Sequence, residues 1–219
     1  MKKPFLFLIF SIALSSCTAQ VGLESKAFKN ANATITSQDM KKHLYIIAAD
    51  EMEGRDTGSE GQKKAGKYMI AEYEKMGVSH PKTMENFYQK VPAAFMNGRR
   101  GSLPDSENIL AFIEGSEKPE EIIVISAHYD HVGMTNGKVY NGADDDGSGT
   151  VGVMEIAEAF QYAKKNGNGP KRSILFLHVT GEEHGLHGSR FYAENPIFPM
   201  DNTVVNLNID MIGRDDPEN

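Results

Sequence analysis

Glu121-Ile122-Ile123-Val124-Ile125-Ser126-Ala127 runs straight into His128-Tyr129-Asp130-His131. A short run so rich in β-branched residues suits a strand buried on both faces, as in parallel or mixed sheets held between helices. The histidine and aspartate that follow then lie at the carboxyl end of a strand, where α/β sheets bind their ligands. Two further runs have the same form: residues 173–179 lead to Gly181-Glu182-Glu183-His184, and residues 204–209 lead to Asp210. Residues 149–165, between the first two runs, carry Val153, Ile156, Ala157 and Phe160 at helical spacing, with Gly167 beyond their end. Strand, helix, strand is an α/β order.

Working outward, residues 37–49 and 59–76 read as helices. The second opens with Ser59 and Gln62 at capping-box spacing, lines Ala65, Met69, Tyr73 and Met76 along one face, and stops at Gly77. A short strand is expected near residues 87–91. The fold class is α/β, with a mixed, largely parallel central sheet and helices on both faces.

The chain's ends and charge restrict where it works. Lys2 and Lys3 precede an apolar stretch at residues 5–14 and then small residues ending at Cys17, the pattern of a secretory signal. The stretch is too short for the ~20 residues that span a bilayer. Leu14-Ser15-Ser16-Cys17 resembles the bacterial lipoprotein box, so residues 1–16 are expected as a signal peptide and 17–34 as a polar, aperiodic tether. Residues 35–219 are expected as the catalytic domain. With its cysteine lipidated, the chain has no thiol for a disulfide, a zinc site or a nucleophile. Among 219 residues, 23 Lys and Arg face 30 Asp and Glu, a net charge of -7. That balance offers no cationic face for nucleic acid.

Four segments distant in sequence thus bring imidazole and carboxylate groups to one sheet edge, the fourth being Asp144-Asp145-Asp146 in the glycine-rich loop before residue 149. Imidazole with carboxylates and no thiolate suits zinc. A calcium loop does not fit: with Gly147 at the central glycine, Gly142 and Val153 fall where carboxylates are required. Gly61 and Gly66-Lys67 have phosphate-loop spacing, but Tyr68 replaces the hydroxyl residue and no strand precedes them. Asp146 stands where a nucleophile elbow around Ser148 needs glycine.

These segments, in this order, resemble peptidase family M28, the di-zinc aminopeptidases, from about Met40 onward; Glu53-Gly54-Arg55 and Gly58 resemble that family's N-terminal segment. The resemblance implies a zinc-peptidase, phosphorylase/hydrolase-like fold. It also implies cleavage of N-terminal peptide bonds by a metal-activated water, with Glu182 as general base and Asp130 orienting His128. His128, Asp145 and Asp210 become ligands of one zinc, and Asp145, bridging, joins Glu183 at a second. The bond from Asp145 to Asp146 is expected to be cis. The family's last ligand is a later histidine, and none of the seven histidines here follows Asp210. The second site is therefore expected to be incomplete in a chain lacking the family's C-terminal part.

His131 and His184 are expected to pack loops or touch substrate, His178 to be a core residue, and His43 and His80 to lie at the surface. The implied partners are peptide substrates and, through Cys17, the outer membrane of a cell envelope. A glutaminyl-cyclase-like acyltransferase, typically with one zinc, and a non-catalytic envelope binding protein are the alternatives.

Overall fold

The computed structural model describes residues 25–97 and 102–214. The signal segment and Cys17 lie outside the described residues. In chain order the elements are α1 (Lys26–Asn32), α2 (Ser37–Ile47), α3 (Glu60–Met76), β1 (Tyr88–Val91), α4 (Ala93–Met96), β2 (Ser106–Ile113), β3 (Lys118–His128), β4 (Met134–Thr135), β5 (Lys138–Val139), α5 (Gly149–Lys165), β6 (Arg172–Val179), α6 (His187–Glu194) and β7 (Thr203–Asn208). The central sheet has the order β1-β2-β6-β3-β7. β1, β2 and β6 pair antiparallel, and β6, β3 and β7 pair parallel, so the sheet is mixed.

The period-2 alternation of β3 builds two layers at once. Ile125 and Ala127 enter one cluster with Ile47, Met69, Tyr73, Val153 and Ala157 from α2, α3 and α5. Ile122 and Val124 face the other way, against Leu175, Leu177 and Tyr192 of α6. Full burial of such side chains contributes roughly 1.5–3 kcal/mol each, which anchors the middle of the sheet and with it the strand ends that carry the site.

The helix ends follow their sequence signals. Ser59 Oγ accepts from Gln62 N at 3.2 Å, and Gly77 takes a left-handed φ of 78° after the last turn of α3. The Gln62 side chain departs from an ordinary capping box. Its oxygen accepts from Gly58 N at 2.6 Å while its Nε2 donates to Thr180 Oγ1 at 2.7 Å, so the start of α3 is pinned to the end of β6.

Three expectations need correction, and one strand was missed. Residues 26–32, expected within an aperiodic tether, form α1; Ser25 caps it, and its apolar residues Ala27, Phe28 and Ala31 face Ile156, Ala159 and Phe160 of α5 across a 680 Å³ cavity. The strand β2 was not expected, yet it occupies an inner position. β7 is the sheet's edge, and instead of being buried on both faces it leaves Val204 55% and Leu207 52% exposed. His43 is not at the surface but buried in α2, where Nδ1 lies 2.6 Å from the Tyr68 hydroxyl and Nε2 3.7 Å from Glu155 of α5.

Candidate metal centre

The groups arrive from the ends of β3, β6 and β7 and from the loop before α5, and the local sequence explains how each is aimed. His128 closes β3 and is 3% exposed. Its Nδ1 lies 3.1 Å from the Asp130 carbonyl oxygen and 3.6 Å from Asp130 Oδ1, which turns Nε2 outward. Nε2 then faces Asp145 Oδ1 at 3.1 Å and Glu182 Oε2 and Asp210 Oδ1 at 3.9 Å each. Burial by itself lowers an imidazole pKa, but Asp130, through its hydrogen bond and charge, and then Asp146 and Glu182 outweigh it, and His128 is pushed up to about 9.

The three consecutive aspartates do three different things. Asp146 points inward: Oδ1 accepts from Gly149 N at 2.9 Å at the start of α5 and from Met211 N at 3.2 Å, and Oδ2 accepts from His128 N at 3.3 Å. Burial pushes its carboxyl up to about 7 against the pull of His128 and those N–H donors. Asp144 turns toward the chain after β7, accepting from Gly213 N at 2.9 Å and pairing with Arg214 at 3.2 Å. Only Asp145 is left for the site. The bond from Asp145 to Asp146 is cis, and the turn begins at Gly142, where a Cβ would strike the His131 ring and the Asp145 carbonyl oxygen.

Beyond β6, Glu182 N donates to Asp130 Oδ1 at 3.2 Å, and Asp130 Oδ2 accepts from Thr57 Oγ1 at 2.9 Å. The fully buried Asp130 therefore joins the ends of β3 and β6. Burial raises the Glu182 pKa, His128 opposes that, and Asp130, Glu183 and Asp210 add to it. Asp210 is placed by Ile209 N, which donates to Ser126 O at 2.8 Å and carries the β3–β7 ladder to the edge of the site.

Two groups of donor atoms converge, each within 4.8 Å of one another: His128, Asp145 and Asp210, and His131, Asp145 and Glu183. All four residues expected as ligands are thus brought together, with Glu182 beside them. His131 was set aside at the level of sequence, yet its Nδ1 lies 2.6 Å from Glu183 Oε1. No signal in sequence finds it, because the meeting depends on how two loops fold. The first group fits zinc. Zinc bonds of about 2.0–2.1 Å in tetrahedral geometry separate neighbouring donors by ~3.3 Å, close to the 3.1 Å between His128 Nε2 and Asp145 Oδ1. The His131–Glu183 distance is instead that of a charge-assisted hydrogen bond. His184 does not join either group; its Nε2 pairs with Asp56 Oδ1 at 2.9 Å.

The sequence model of peptidase family M28 matches residues 108–219. A vacuolar membrane protease of Pyrenophora tritici-repentis is 33% identical over 126 residues, which cover 52% of this chain and 12% of that protein. Among solved structures, a glutaminyl cyclase from Porphyromonas gingivalis aligns with a TM-score of 0.65 at 21% identity, covering 82% of this chain and 60% of that one. A Zn-dependent exopeptidase from Parabacteroides distasonis aligns at 0.64 and 19%, covering 82% and 63%. The chain spans about an eighth of the length of that curated relative and about three fifths of the solved chains. At these identities the likeness to the solved structures shows the fold alone, which in the described residues of this chain is a mixed sheet of five strands with helices packed on it.

Proposed function

The chain belongs to peptidase family M28, and from that premise we propose that it is a zinc-dependent exopeptidase that removes residues from the amino end of peptides. The observation that carries this is the convergence of His128, Asp145 and Asp210 at the ends of β3, the loop before α5 and β7. In this reading His128, Asp145 and Asp210 would hold one zinc, and Asp145 with Glu183 would contribute to a second position. Bound there, zinc supplies Lewis acidity, polarising a carbonyl and acidifying water.

The chain's own groups do the rest. Glu182 stands 3.9 Å from His128 Nε2 and has a carboxyl pKa raised by burial, which suits a general base. It takes the proton of the attacking water and returns it to the leaving amine nitrogen. Asp130 holds the Glu182 backbone and backs His128, fixing both against drift. His131 hydrogen-bonds one oxygen of Glu183 and leaves the other for the cation.

A glutaminyl-cyclase-like acyltransferase is the second reading, since the same sheet underlies the solved cyclase. The second group, with Asp145 and Glu183 both in place, favours the peptidase. Zinc content and turnover decide between them. Up to two zinc ions per chain, with chelator-sensitive release of the aniline from a leucine anilide, are expected; cyclisation of an N-terminal glutamine without aniline release would overturn the peptidase. Lys2, Lys3, the apolar residues 5–14 and Leu14-Ser15-Ser16-Cys17 support export and lipid anchoring in the cell envelope. Among the described residues no helix is long and apolar enough to cross a membrane. Replacement Cys17→Ala is expected to release the protein from the membrane fraction, and retention there would refute the anchor.

A further inference from the structure

We propose that Arg55, with Thr57 beside it, is a positioning residue that sets the loops carrying His128, Asp130 and Asp145 in register with one another. The inference rests on the metal centre proposed above and concerns a residue outside it. Arg55 is 0% exposed. Its guanidinium donates to four backbone carbonyls: Nε to Tyr129 O at 2.9 Å, Nη1 to Ile47 O at 2.7 Å and Asn141 O at 2.8 Å, and Nη2 to Gly142 O at 2.8 Å. Among the described residues no carboxylate lies within ion-pair distance of it.

A buried guanidinium is costly, and the partner that best offsets the cost is a carboxylate in bidentate contact. Here the donors are spent on neutral carbonyls instead. Three of the four belong to the two loops that deliver site residues: Tyr129 follows His128, and Asn141 and Gly142 precede the aspartate triplet. The charge is met at longer range. Burial draws the Arg55 pKa down to about 10, and Asp130, Asp146, Asp145 and Glu183 hold it up, so the group stays cationic at neutral pH beneath the acidic site.

The backbone around Arg55 has the same purpose. Glu53, Gly54 and Arg55 all take left-handed φ values, 54°, 66° and 50°, which fold the segment under the loops. A Cβ on Gly54 would strike Gly133 O and Tyr140 O, so only glycine permits the approach. Gly54 O then accepts from Gly133 N at 3.0 Å, Arg55 O accepts from His131 N at 3.0 Å, and Thr57 Oγ1 donates to Asp130 Oδ2 at 2.9 Å. Residues 54–57 thereby grip the loop after β3 at Tyr129, Asp130, His131 and Gly133 and the loop before α5 at Asn141 and Gly142. A lysine keeps the charge but not the planar fork that reaches both loops together.

The test uses the full chain as wild type, Arg55→Lys and Thr57→Val. Zinc affinity is measured by competition with a chromophoric chelator, and the visible spectrum is recorded with cobalt(II) in place of zinc. Circular dichroism of the cation-free chains identifies folded variants. Arg55→Lys is expected to weaken zinc at least ~10-fold and shift the cobalt spectrum, and Thr57→Val to weaken zinc ~10-fold while the cation-free chain melts earlier but still cooperatively, within the 10–100-fold range for groups that orient metal ligands. If Arg55→Lys does not fold, Thr57→Val alone decides. Wild-type affinity and spectrum in every folded variant would overturn the positioning role while leaving the metal centre standing. A wild-type chain that takes up neither cation would overturn both.

Discussion

Two buried imidazoles lie on neighbouring strands of one sheet and behave in opposite ways. In the β3–β6 ladder Ala127 pairs with His178 and His128 with Val179, so the two histidines are one register step apart and face opposite sides. Both are buried. His178 sits among apolar residues, its Nε2 is 2.7 Å from the Tyr73 hydroxyl, its Nδ1 has no hydrogen-bond partner among the described residues, and burial draws its pKa down to about 3. His128 is ringed by Asp130, Asp145, Asp146, Glu182 and Asp210, and its pKa goes up to about 9. Burial does not distinguish a site histidine from a core one. The carboxylates that share its strand end do.

The largest effect expected from this difference is at His128 itself. Replacement His128→Ala is expected to abolish zinc binding at the first position and reduce turnover to background while the melting curve of the cation-free chain stays cooperative. His178→Ala should do the reverse. It strands the Tyr73 hydroxyl, which costs ~1–3 kcal/mol, and leaves turnover per folded molecule near wild type. Zinc stoichiometry and thermal melting on the same two variants check the pair, and a His178→Ala chain that folds but loses its zinc would break the comparison.

Next in size is Glu182→Gln, which separates holding the cation from moving the proton. Zinc content should be unchanged and turnover should fall at least ~100-fold, the usual scale of general acid–base catalysis. Near-normal turnover would move the base elsewhere in the ring around His128.

Much of this ring was legible from sequence because strand ends are easy to read when a continuous apolar run stops at a polar residue. Residues 121–127 and 173–179 lie within β3 and β6, and 149–165 are α5. β2 escaped because its first half is polar yet buried: Ser106 bonds Gln62 and Thr180, and Asn108 bonds Gln89 and Gly188. A seven-residue helix such as α1 is too short to declare itself, since isolated helices of that length do not form; its cap and its neighbours on α5 make it. The roles of Arg55 and His131 depend on contacts across 74 to 87 residues and 52 residues respectively, and no local pattern encodes those.

The same pair predicts opposite pH slopes in the cation-free chain. His178 has a folded pKa of about 3 against 6.5 for the free group, so its neutral form contributes stability above pH 6.5 that is lost as pH falls toward 3. His128 is raised to about 9, so its protonated form contributes stability below pH 6.5 that is lost as pH rises through 9. Each contribution is on the order of 3–5 kcal/mol over its whole window. Thermal melts from pH 4 to 10 should show the acid-side slope flatten in His178→Ala and the alkaline-side slope flatten in His128→Ala. Saturating zinc should also remove the alkaline slope, because the cation and the proton compete for the same nitrogen.

The smallest expected effect concerns a third imidazole, which sharpens the comparison. His131 has a carboxylate neighbour as His128 does, but Glu183 Oε1 is 2.6 Å from its Nδ1, whereas His128 and Asp145 stand apart at 3.1 Å. Two donors to one zinc need ~3.3 Å between them, so His131 Nδ1 and Glu183 Oε1 are hydrogen-bonded to each other rather than sharing a cation, and His131 is proposed to orient Glu183. Replacement His131→Ala should therefore keep the number of zinc ions bound at saturation and weaken only the second, by ~10-fold, as loss of a hydrogen bond to a ligating carboxylate does. Isothermal titration resolves the two binding steps. Were the second step to vanish in His131→Ala, His131 would be a ligand in its own right, and proximity to a carboxylate, rather than the spacing of the pair, would be what marks a metal-binding histidine in this sheet.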